Sequence, residues 1–249
     1  AVTSPVNNDL RAIKMLSATS GWIVGNNGVI LRYNGTGWTS VASPTNNHLY
    51  AVDAISATDA WAGGRNGVLV HYNGSTWTDA ASPSSRHING LDMLAADAIW
   101  LVTNNGSIYR YNGSTWASQT SNTARDLYDV AVYDATHALA GGAYEVKLSY
   151  NGSAWTNMGE GSIVAGLNDV SYAGANTNAW ACGGEGLIIH YTGAQWYRTA
   201  CPVSVALYAI SFSSETSGWA VGEGGCILRY SGYTDTTPAS LGRIKAIFN

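Results

Sequence analysis

The fold of this chain is decided by one stretch of sequence, Gly21-Trp22-Ile23-Val24-Gly25-Asn26-Asn27-Gly28-Val29-Ile30-Leu31-Arg32-Tyr33-Asn34-Gly35-Thr36-Gly37-Trp38, which recurs with variations along the whole chain. Its first tryptophan position is occupied in turn by Trp22, Trp61, Trp100, Leu139, Trp180 and Trp219, at spacings of 39, 39, 39, 41 and 39 residues. A tyrosine follows each of these positions, and a second tryptophan follows in every copy except the sixth. A fixed period of about 40 residues predicts a solenoid or a propeller.

The pattern inside each copy decides between these two architectures. Residues 49–56 alternate between apolar and other side chains and predict a strand. Short apolar runs around Arg65-Asn66-Gly67 and Asn73-Gly74 predict three further strands, and the Asn-Gly turn calls for a positive φ at both central residues. We therefore predict an all-β fold, a six-bladed β-propeller of four-stranded antiparallel blades over residues 1–235. The blades begin near residues 10, 49, 88, 127, 167 and 207.

The two ends of the chain suggest how the ring closes. Residues 2–10 match residues 41–49 closely, and the sixth copy has Asp235 where its fourth strand should begin with tryptophan. We therefore expect residues 1–5 to complete the last blade and to close the ring, which removes two exposed sheet edges. Residues 236–249 form a C-terminal tail or the start of a further segment, through which the protein could also assemble with itself.

Composition restricts the classes of partner. The formal charge is −4, and only 11% of the residues are charged, so the chain offers no basic surface for nucleic acid. The sequence lacks an apolar run of the roughly 18 residues that a membrane helix needs, and we expect no membrane insertion. Three cysteines allow one disulfide, for which Cys201 and Cys226 are the candidates, whereas Cys182 replaces a core valine.

The repeat pattern Gly-Trp-Ala-Val-Gly-x-x-Gly-x-Ile-Leu-x-Tyr-x-Gly-x-x-Trp is best kept at residues 218–230 and 21–38. It resembles the repeat of bacterial BNR-type and photosystem II assembly factor-like propellers. Those proteins carry an Asp-box turn, of which Tyr72-Asn73-Gly74-Ser75-Thr76-Trp77 keeps the glycine, the threonine and the second tryptophan. The Tyr-Asn-Gly turn resembles that of secreted bacterial repeat proteins, and this resemblance implies an extracellular or cell-surface location.

Residues that occur in every blade are expected to hold blades together, so we look for a binding site among the loops. The loops that enter the first strands place Asp9, His48, His87 and Asp126 at equivalent positions. These side chains could ligate a metal, but a ring spreads them widely, and we predict solvated turn residues and no metal site. Tyr50, Tyr128 and Tyr208 follow the blade-opening leucines. They form either a rim suited to a peptide or a sugar, or packing between inner strands.

The loop between the second and third strands varies most from copy to copy. Arg65 and Arg86 in early blades contrast with Glu145, Glu185 and Glu223 in later ones, which predicts an asymmetric face. The fourth copy departs furthest, with Leu139 for tryptophan and Ala143-Tyr144-Glu145-Val146 in place of the Asn-Gly turn. Five Asn-Gly-Ser/Thr sequences would also be glycosylation acceptors in a eukaryotic secretory pathway, namely Asn34, Asn73, Asn105, Asn112 and Asn151.

We predict a non-catalytic binding module that presents a loop face to a protein or a glycan. The alternative is a structural subunit of an extracellular surface assembly. A sialidase-like glycosidase is a remote third hypothesis, since Arg65, Arg86 and Arg125 lie in three blades without the accompanying nucleophile pattern. The sequence contains no phosphate loop, Cys-x-x-Cys motif or nucleophile elbow, and we expect no catalytic residue and no cofactor.

Overall fold

The computed structural model describes residues 3–161, 165–232 and 244–246, the last three by their backbone alone. Within these ranges the regular elements are strands and three-residue 3-10 turns. The strands form six four-stranded antiparallel sheets, each with its strands in chain order. The fold is a six-bladed β-propeller, as predicted. No helix in the described ranges is long and apolar enough to span a bilayer.

Residues Ala1–Thr120 form one compact unit that contains the first three sheets. The first sheet consists of β1 Leu10–Ser17, β2 Ser20–Gly25, β3 Ile30–Tyr33 and β4 Trp38–Val41. The second consists of β5 Leu49–Ser56, β6 Asp59–Gly64, β7 Leu69–Tyr72 and β8 Trp77–Asp79. The third consists of β9 Ile88–Ala95, β10 Ala98–Thr103, β11 Ile108–Tyr111 and β12 Trp116–Gln119.

Residues Ser121–Asn249 form a second compact unit with the other three sheets. The fourth sheet consists of β13 Leu127–Asp134, β14 His137–Gly142, β15 Lys147–Tyr150 and β16 Trp155–Asn157. The fifth consists of β17 Leu167–Ala173, β18 Ala175–Gly183, β19 Ile188–Tyr191 and β20 Trp196–Arg198. The sixth consists of β21 Leu207–Ser214, β22 Ser217–Gly222, β23 Ile227–Ser231 and β24 Ile244–Ala246.

The repeated aromatic residues form the joints between neighbouring sheets. In the first unit the Trp22 ring of β2 packs on two rings of the second sheet, with centroid distances of 4.7 Å to Tyr72 and 5.2 Å to Trp77. In the second unit the Trp180 ring packs on Tyr230 and Phe212 of the sixth sheet, at 4.9 and 5.4 Å. Trp22 and Trp180 are therefore used by the fold, because these joints bury them between two sheets.

A cross-strand neighbour covers the same tryptophan from within its own sheet. Trp22 is paired with Arg32 of β3, whose guanidinium carbon lies 5.2 Å from the ring centroid. Trp180 is paired with His190, whose ring stacks on it at 4.1 Å. Directly opposite residues share one face of a sheet, so a cation or an imidazole at this position completes the shell around the indole.

The 3-10 turn between the second and third strands brings two chain segments into close contact. In the second sheet this turn is Arg65–Gly67, where Asn66 and Gly67 both have positive φ. A Cβ atom on Gly67 would lie 1.9 Å from the carbonyl oxygen of Ser84, in the connection to the next sheet. Glycine is therefore required at this position both by its φ and by the contact.

The Asn-Gly turn differs from the expected geometry. In the second sheet Gly74 has a φ of +94°, but Asn73 does not have a positive φ, so that part of the prediction is wrong. The Asn73 Oδ1 atom accepts hydrogen bonds from the N–H groups of Ser75 and Thr76, at 3.0 and 3.1 Å. Asparagine is used here as an acceptor that closes the loop on itself.

The fourth strand of the sixth sheet does not come from the N-terminus. Ile244–Ala246 pairs with β23, Tyr230 opposite Ile244 and Leu228 opposite Ala246. Residues 3–5 lie outside any strand, and residues 1–2 lie outside the described part of the chain. The assignment of this strand to residues 1–5 is thus corrected to a segment of the tail, whose apolar alternation suits any free antiparallel edge. Apart from β24, the tail lies outside the described residues.

Trp180 provides a test of the joint. Trp180→Ala removes a ring that is 1% exposed, and we expect it to lower the free energy of unfolding by about 3–5 kcal/mol. Trp219→Ala is the matched control, because Trp219 has the same repeat position but is 43% exposed, and its loss should cost less than about 1.5 kcal/mol. Urea denaturation followed by circular dichroism measures both, and equal costs would contradict the role assigned to the joint.

Candidate binding surface

Two of the predicted site residues, His48 and His87, connect neighbouring sheets of the first unit. The Nδ1 atom of His48 accepts a hydrogen bond from the Asn27 N–H at 2.9 Å, and that of His87 accepts one from the Asn66 N–H at 3.0 Å. Each histidine comes directly before the first strand of a sheet, and it accepts this hydrogen bond from the residue with positive φ in the 3-10 turn of the preceding sheet. The Nδ1 atoms of both histidines therefore have a structural role.

The other predicted residues of the first unit surround these histidines. The Tyr50 ring lies 6.4 Å from that of His48 and 6.0 Å from that of His87, so it packs between the two entering loops. Arg86 reaches the side chain of Asn105, whose oxygen lies 2.6 Å from Nη1 when the amide is oriented towards it. Arg65 is exposed, and its backbone N–H donates to the His48 carbonyl at 2.8 Å. The structure thus brings these residues together on one loop face.

No metal centre is formed from the described residues, because none of them make up a group of three suitable side chains. Asp9, considered as a ligand in the sequence analysis, is engaged with its own sheet. Its Oδ2 atom accepts a hydrogen bond from Asn26 Nδ2 at 2.9 Å and lies 3.6 Å from Arg11 Nη2.

The fourth sheet departs from the other five at its 3-10 turn, Ala143–Glu145. Tyr144 and Glu145 have φ values of +56° and +55°, so two residues with side chains occupy the left-handed region in succession. At the same two positions the first three sheets have asparagine followed by glycine. A left-handed conformation is unfavourable for tyrosine and for glutamate, and strain of this kind is found where the surroundings enforce it, often at functional sites.

The surroundings of Tyr144 form what we call the Tyr144 cluster, which consists of Arg125, Tyr128, Tyr144 and Glu160. The Arg125 guanidinium carbon lies 4.1 Å from the centroid of the Tyr144 ring, a close cation–π contact. Arg125 Nε also donates to Glu160 Oε2 at 3.2 Å. Tyr144 is nevertheless 39% exposed, so the cluster presents a positioned aromatic ring to solvent.

Tyr128 is the partly buried member of this cluster. A Cβ atom on Gly166 would lie 2.6 Å from the Tyr128 ring, so the ring rests directly on the entering loop of the next sheet. Burial raises the pKa of Tyr128, and the charge of Asp126 and the Tyr144 hydroxyl raise it further. Tyr128 and Tyr144 therefore lie near each other on the loop face of the fourth sheet.

Beneath Tyr144, the Glu145 carboxylate is buried and paired with Arg198 of the fifth sheet. The Glu145 carbonyl oxygen accepts a hydrogen bond from Lys147 Nζ at 2.7 Å. A Cβ atom on Gly161 would lie 2.4 Å from the carboxyl carbon, so only glycine leaves space for it. Glu145 thus belongs to the support of the loop, and the prediction that places it in an exposed acidic face is wrong.

The remaining predicted residues of the second unit stay exposed. Glu185 and Glu223 occupy the 3-10 turns of the fifth and sixth sheets, and Glu185 is in the left-handed region with a φ of +55°. Tyr208 is 57% exposed. These side chains have the accessibility that a binding role needs, and their role as ligand contacts remains a prediction.

Sequence reasoning missed two aspartates on the first strands of the fourth and fifth sheets. Asp129 Oδ2 accepts a hydrogen bond from the Val170 N–H at 3.0 Å, and Asp169 Oδ2 accepts one from the Ile210 N–H at 2.7 Å. The two carboxyl groups also hydrogen-bond each other. Burial raises both pKa values, and repulsion by Asp169 raises that of Asp129 further, which favours a proton shared between the two carboxyl groups.

In the first unit the aspartate on a first strand is neutralised by a lysine. The Lys14 Nζ atom of β1 lies 2.5 Å from Asp53 Oδ1 of β5. The other carboxylate oxygen, Asp53 Oδ2, accepts a hydrogen bond from the Met93 N–H at 2.7 Å. Asp53 is 3% exposed, so the ammonium group neutralises a buried carboxylate. Each unit thus has an aspartate that bridges to the backbone of the next sheet, neutralised by lysine in one case and by a proton in the other.

The predicted Cys201–Cys226 disulfide is not formed, and all three cysteines are free thiols. Cys182 is buried in the hydrophobic cluster between the fifth and sixth sheets, against which Cys201 and Cys226 pack. Burial raises the pKa values of Cys182 and Cys201, which keeps these thiols protonated. The cysteines are thus used here as small apolar side chains.

Comparison with known proteins supports the fold and the family resemblance. The model of the family described as photosynthesis system II assembly factor YCF48 matches residues 141–231, which include Tyr144 and Glu145. The resemblance predicted from the repeat is thereby confirmed. A comparison with curated protein sequences found no match.

Several solved structures are similar to the whole chain. A structure of YCF48 bound to D1 peptide has 17% sequence identity and a TM-score of 0.51, and the match covers 92% of this chain and 95% of that chain. The WD40 β-propeller domain of Doa1 has 12% identity and a TM-score of 0.77, with coverage of 93% and 81%. U3-55K has 8% identity and a TM-score of 0.76, with coverage of 94% and 80%. At such low identities these likenesses establish the propeller fold alone.

The shared proton predicts a pH dependence of stability. A carboxyl group whose pKa is raised in the folded state stabilises the protein below the unfolded pKa of about 4, and this contribution is lost as pH rises towards the folded pKa. We therefore expect the free energy of unfolding to fall from about pH 4 upwards in the native protein.

Asp129→Asn keeps a hydrogen-bonding amide and should flatten this slope. Urea titrations at several pH values test this, with the exposed Asp79→Asn as control. An unchanged slope in Asp129→Asn would contradict the shared proton.

The support beneath Tyr144 can be tested by a mutant cycle. Arg198→Met leaves the buried Glu145 carboxylate without its partner, and we expect a loss of about 1–3 kcal/mol, since Arg198 itself is more than half exposed. Glu145→Gly restores the glycine found in the other sheets, so adding it to Arg198→Met should recover part of that loss. Denaturant unfolding of the two single variants and the double variant measures the coupling. If the losses of the two single variants simply add in the double variant, Glu145 and Arg198 are not energetically coupled, and the supporting role of the ion pair is contradicted.

Proposed function

We propose that this chain is a non-catalytic protein-binding module and that a segment of the partner protein binds on the Tyr144 cluster. The observation that carries the proposal is the exposed Tyr144 ring, held by a left-handed backbone and by the Arg125 contact. In the other sheets the equivalent residue is asparagine, glutamate or glycine. A strained and exposed aromatic residue at this single position is not needed by the repeat, so a role outside the fold explains it best.

The chemistry of the cluster suits a polypeptide partner. Tyrosine and arginine are the residues that most often dominate binding energy at protein interfaces. Here Tyr144 offers a ring face, Tyr128 a partly buried ring, and Arg125 and Glu160 a charged margin that can pair with backbone or side-chain groups. The rigid 3-10 turn keeps these groups in place before binding, which reduces the entropy lost on association.

The comparisons support the same class of partner. A propeller of the matched family has been solved with a bound peptide, and the family model covers the part of this chain that contains Tyr144. We propose that this chain, too, binds a peptide segment, and that it acts outside the cell, as the resemblance to secreted repeat proteins implies. No contact among the described residues favours recognition of a glycan, which the sequence predicted equally, over peptide binding.

Selection from a phage-displayed peptide library on the immobilised protein tests the proposal. Peptides enriched on the native chain should lose about tenfold or more in affinity for Tyr144→Asn. This variant removes the ring but keeps a residue that the first three sheets accept in the same left-handed conformation. Fluorescence polarisation with the selected peptides gives the affinities.

The control is Tyr197→Ala, which removes a tyrosine that is 46% exposed on β20, in the outermost strand of the fifth sheet. It should leave peptide binding unchanged. Failure to enrich any peptide, or equal binding by Tyr144→Asn and the native chain, would overturn the proposal. Binding on a glycan array in the absence of peptide binding would instead favour the glycan alternative.

A further inference from the structure

The first strands of the first three sheets carry a lysine and two aspartates at one position of the repeat. Lys14 lies on β1, Asp53 on β5 and Asp92 on β9, and each is paired with the tryptophan of the following strand. The equivalent residues of the second unit are an alanine and two serines, Ala131, Ser171 and Ser211. The repeat therefore does not require charge at this position, and the charged residues of the first unit need another explanation.

The Asp53 carboxyl group is fixed by donors to both of its oxygen atoms. Oδ1 accepts a hydrogen bond from the Ala54 N–H at 2.8 Å and lies 2.5 Å from Lys14 Nζ. Oδ2 accepts a hydrogen bond from the Met93 N–H at 2.7 Å. Asp53 is 3% exposed, so water has little access to it. A backbone N–H that holds a carboxyl oxygen in a dry site stabilises the negative charge that develops on this oxygen when a nucleophile attacks the carbon.

A second carboxyl group lies beside this pair. Asp92 Oδ1 accepts a hydrogen bond from the same Met93 N–H at 2.9 Å, so the carboxyl groups of Asp53 and Asp92 meet at one donor. Asp92 also interacts electrostatically with Lys14. Lys14 alone accounts for the charge of Asp53, so neutralisation does not require the second carboxyl group. Asp92 is instead placed to accept a proton from Lys14 and to pass it to Asp53 Oδ2.

We propose that Lys14 and Asp53 become joined by an amide bond between Lys14 Nζ and Asp53 Cγ, which cross-links the first two sheets. The ammonium group and the carboxylate condense to an amide and one molecule of water, so the step needs no oxidant and no further reactant. Nζ attacks Cγ as a free amine after one proton has passed to Asp92, and the Ala54 N–H stabilises the oxyanion on Oδ1. Asp92 transfers the two protons that the nitrogen gives up to Oδ2, which leaves as water.

Loss of the Lys14 proton limits the rate of this reaction. Burial lowers the pKa of Lys14, but the charges of Asp53 and Asp92 and the hydrogen bond to Asp53 raise it, and the pKa is raised overall. The free amine therefore forms only when its proton passes to one of these carboxyl groups. Proton transfer within a buried ion pair replaces two charges by two neutral groups, which lowers the cost of burial. We accordingly expect the bond to form slowly, and only after the chain has folded.

The cross-link would protect the joint between the first two sheets. It closes the chain between β1 and β5 into a covalent loop that contains the other three strands of the first sheet. The two sheets would then stay connected when the packing of Trp22 on the second sheet opens. A closed loop also restricts the unfolded chain, so the cross-linked protein should be more stable than the same protein without the bond.

Mass spectrometry tests the proposal directly. After prolonged incubation the folded native chain should be lighter by one water molecule than the mass calculated from its sequence. Trypsin should leave Lys14 uncut and release a branched peptide in which residues 12–32 are joined to residues 33–65. A native chain of full mass that trypsin cleaves after Lys14 would overturn the proposal.

Lys14→Arg is the matched control, because it keeps the positive charge but has no amine that can form the bond. It should retain its full mass and unfold at a lower urea concentration than the cross-linked native chain. A loss of water that persists in Lys14→Arg would place the reaction elsewhere and would also overturn the proposal. The substitution lies in the first unit, away from the Tyr144 cluster, so cross-linking and peptide binding can fail independently.

Asp92→Asn tests the path of the proton. This variant keeps a side-chain oxygen that can accept the Met93 N–H but removes the proton acceptor. Bond formation, followed by the mass of the folded chain over time, should be slower by about 10²-fold or more. An unchanged rate in Asp92→Asn would contradict the role of Asp92 as the proton carrier.

Discussion

The structure depends on the packing of one indole ring against the next sheet. A four-stranded sheet of this size cannot bury its own faces, and the apolar residues of its second and third strands need a neighbour. In the first and fifth sheets the tryptophan of the second strand lies in that contact. It is covered on one side by an arginine or a histidine of its own sheet and on the other by aromatic rings of the following sheet. This contact recurs once in each copy, and its spacing along the chain therefore sets the period of the sequence.

This constraint explains why so little of the sequence is free to serve function. In the 3-10 turns, glycine is required by positive φ and by contact with a neighbouring carbonyl group at Gly28, Gly67 and Gly186. The histidines of the entering loops accept hydrogen bonds from these turns, and the first-strand aspartates bridge to the backbone of the next sheet. Residues that do not follow the repeat are therefore informative. Tyr144 and Glu145 depart from it together, the second supporting the loop and the first presenting a ring to solvent.

The sequence by itself determined the number of sheets, the strands in each and the structural use of the tryptophans, because a repeat imposes one local pattern and one contact on every copy. It also identified the fourth copy as the most divergent. Tertiary structure decided what depends on distances between copies. In the tertiary structure Glu145 lies in a buried ion pair and not in the acidic face. Ile244–Ala246 forms the fourth strand of the sixth sheet, and Cys201 and Cys226 are free thiols. It also brought Asp129 and Asp169, 40 residues apart in sequence, close enough to share a proton. A periodic sequence specifies which residues are equivalent. Whether a charged side chain is buried and which segment pairs with a free strand edge depend on the nearest atoms, and in a repeat fold these atoms belong to another copy.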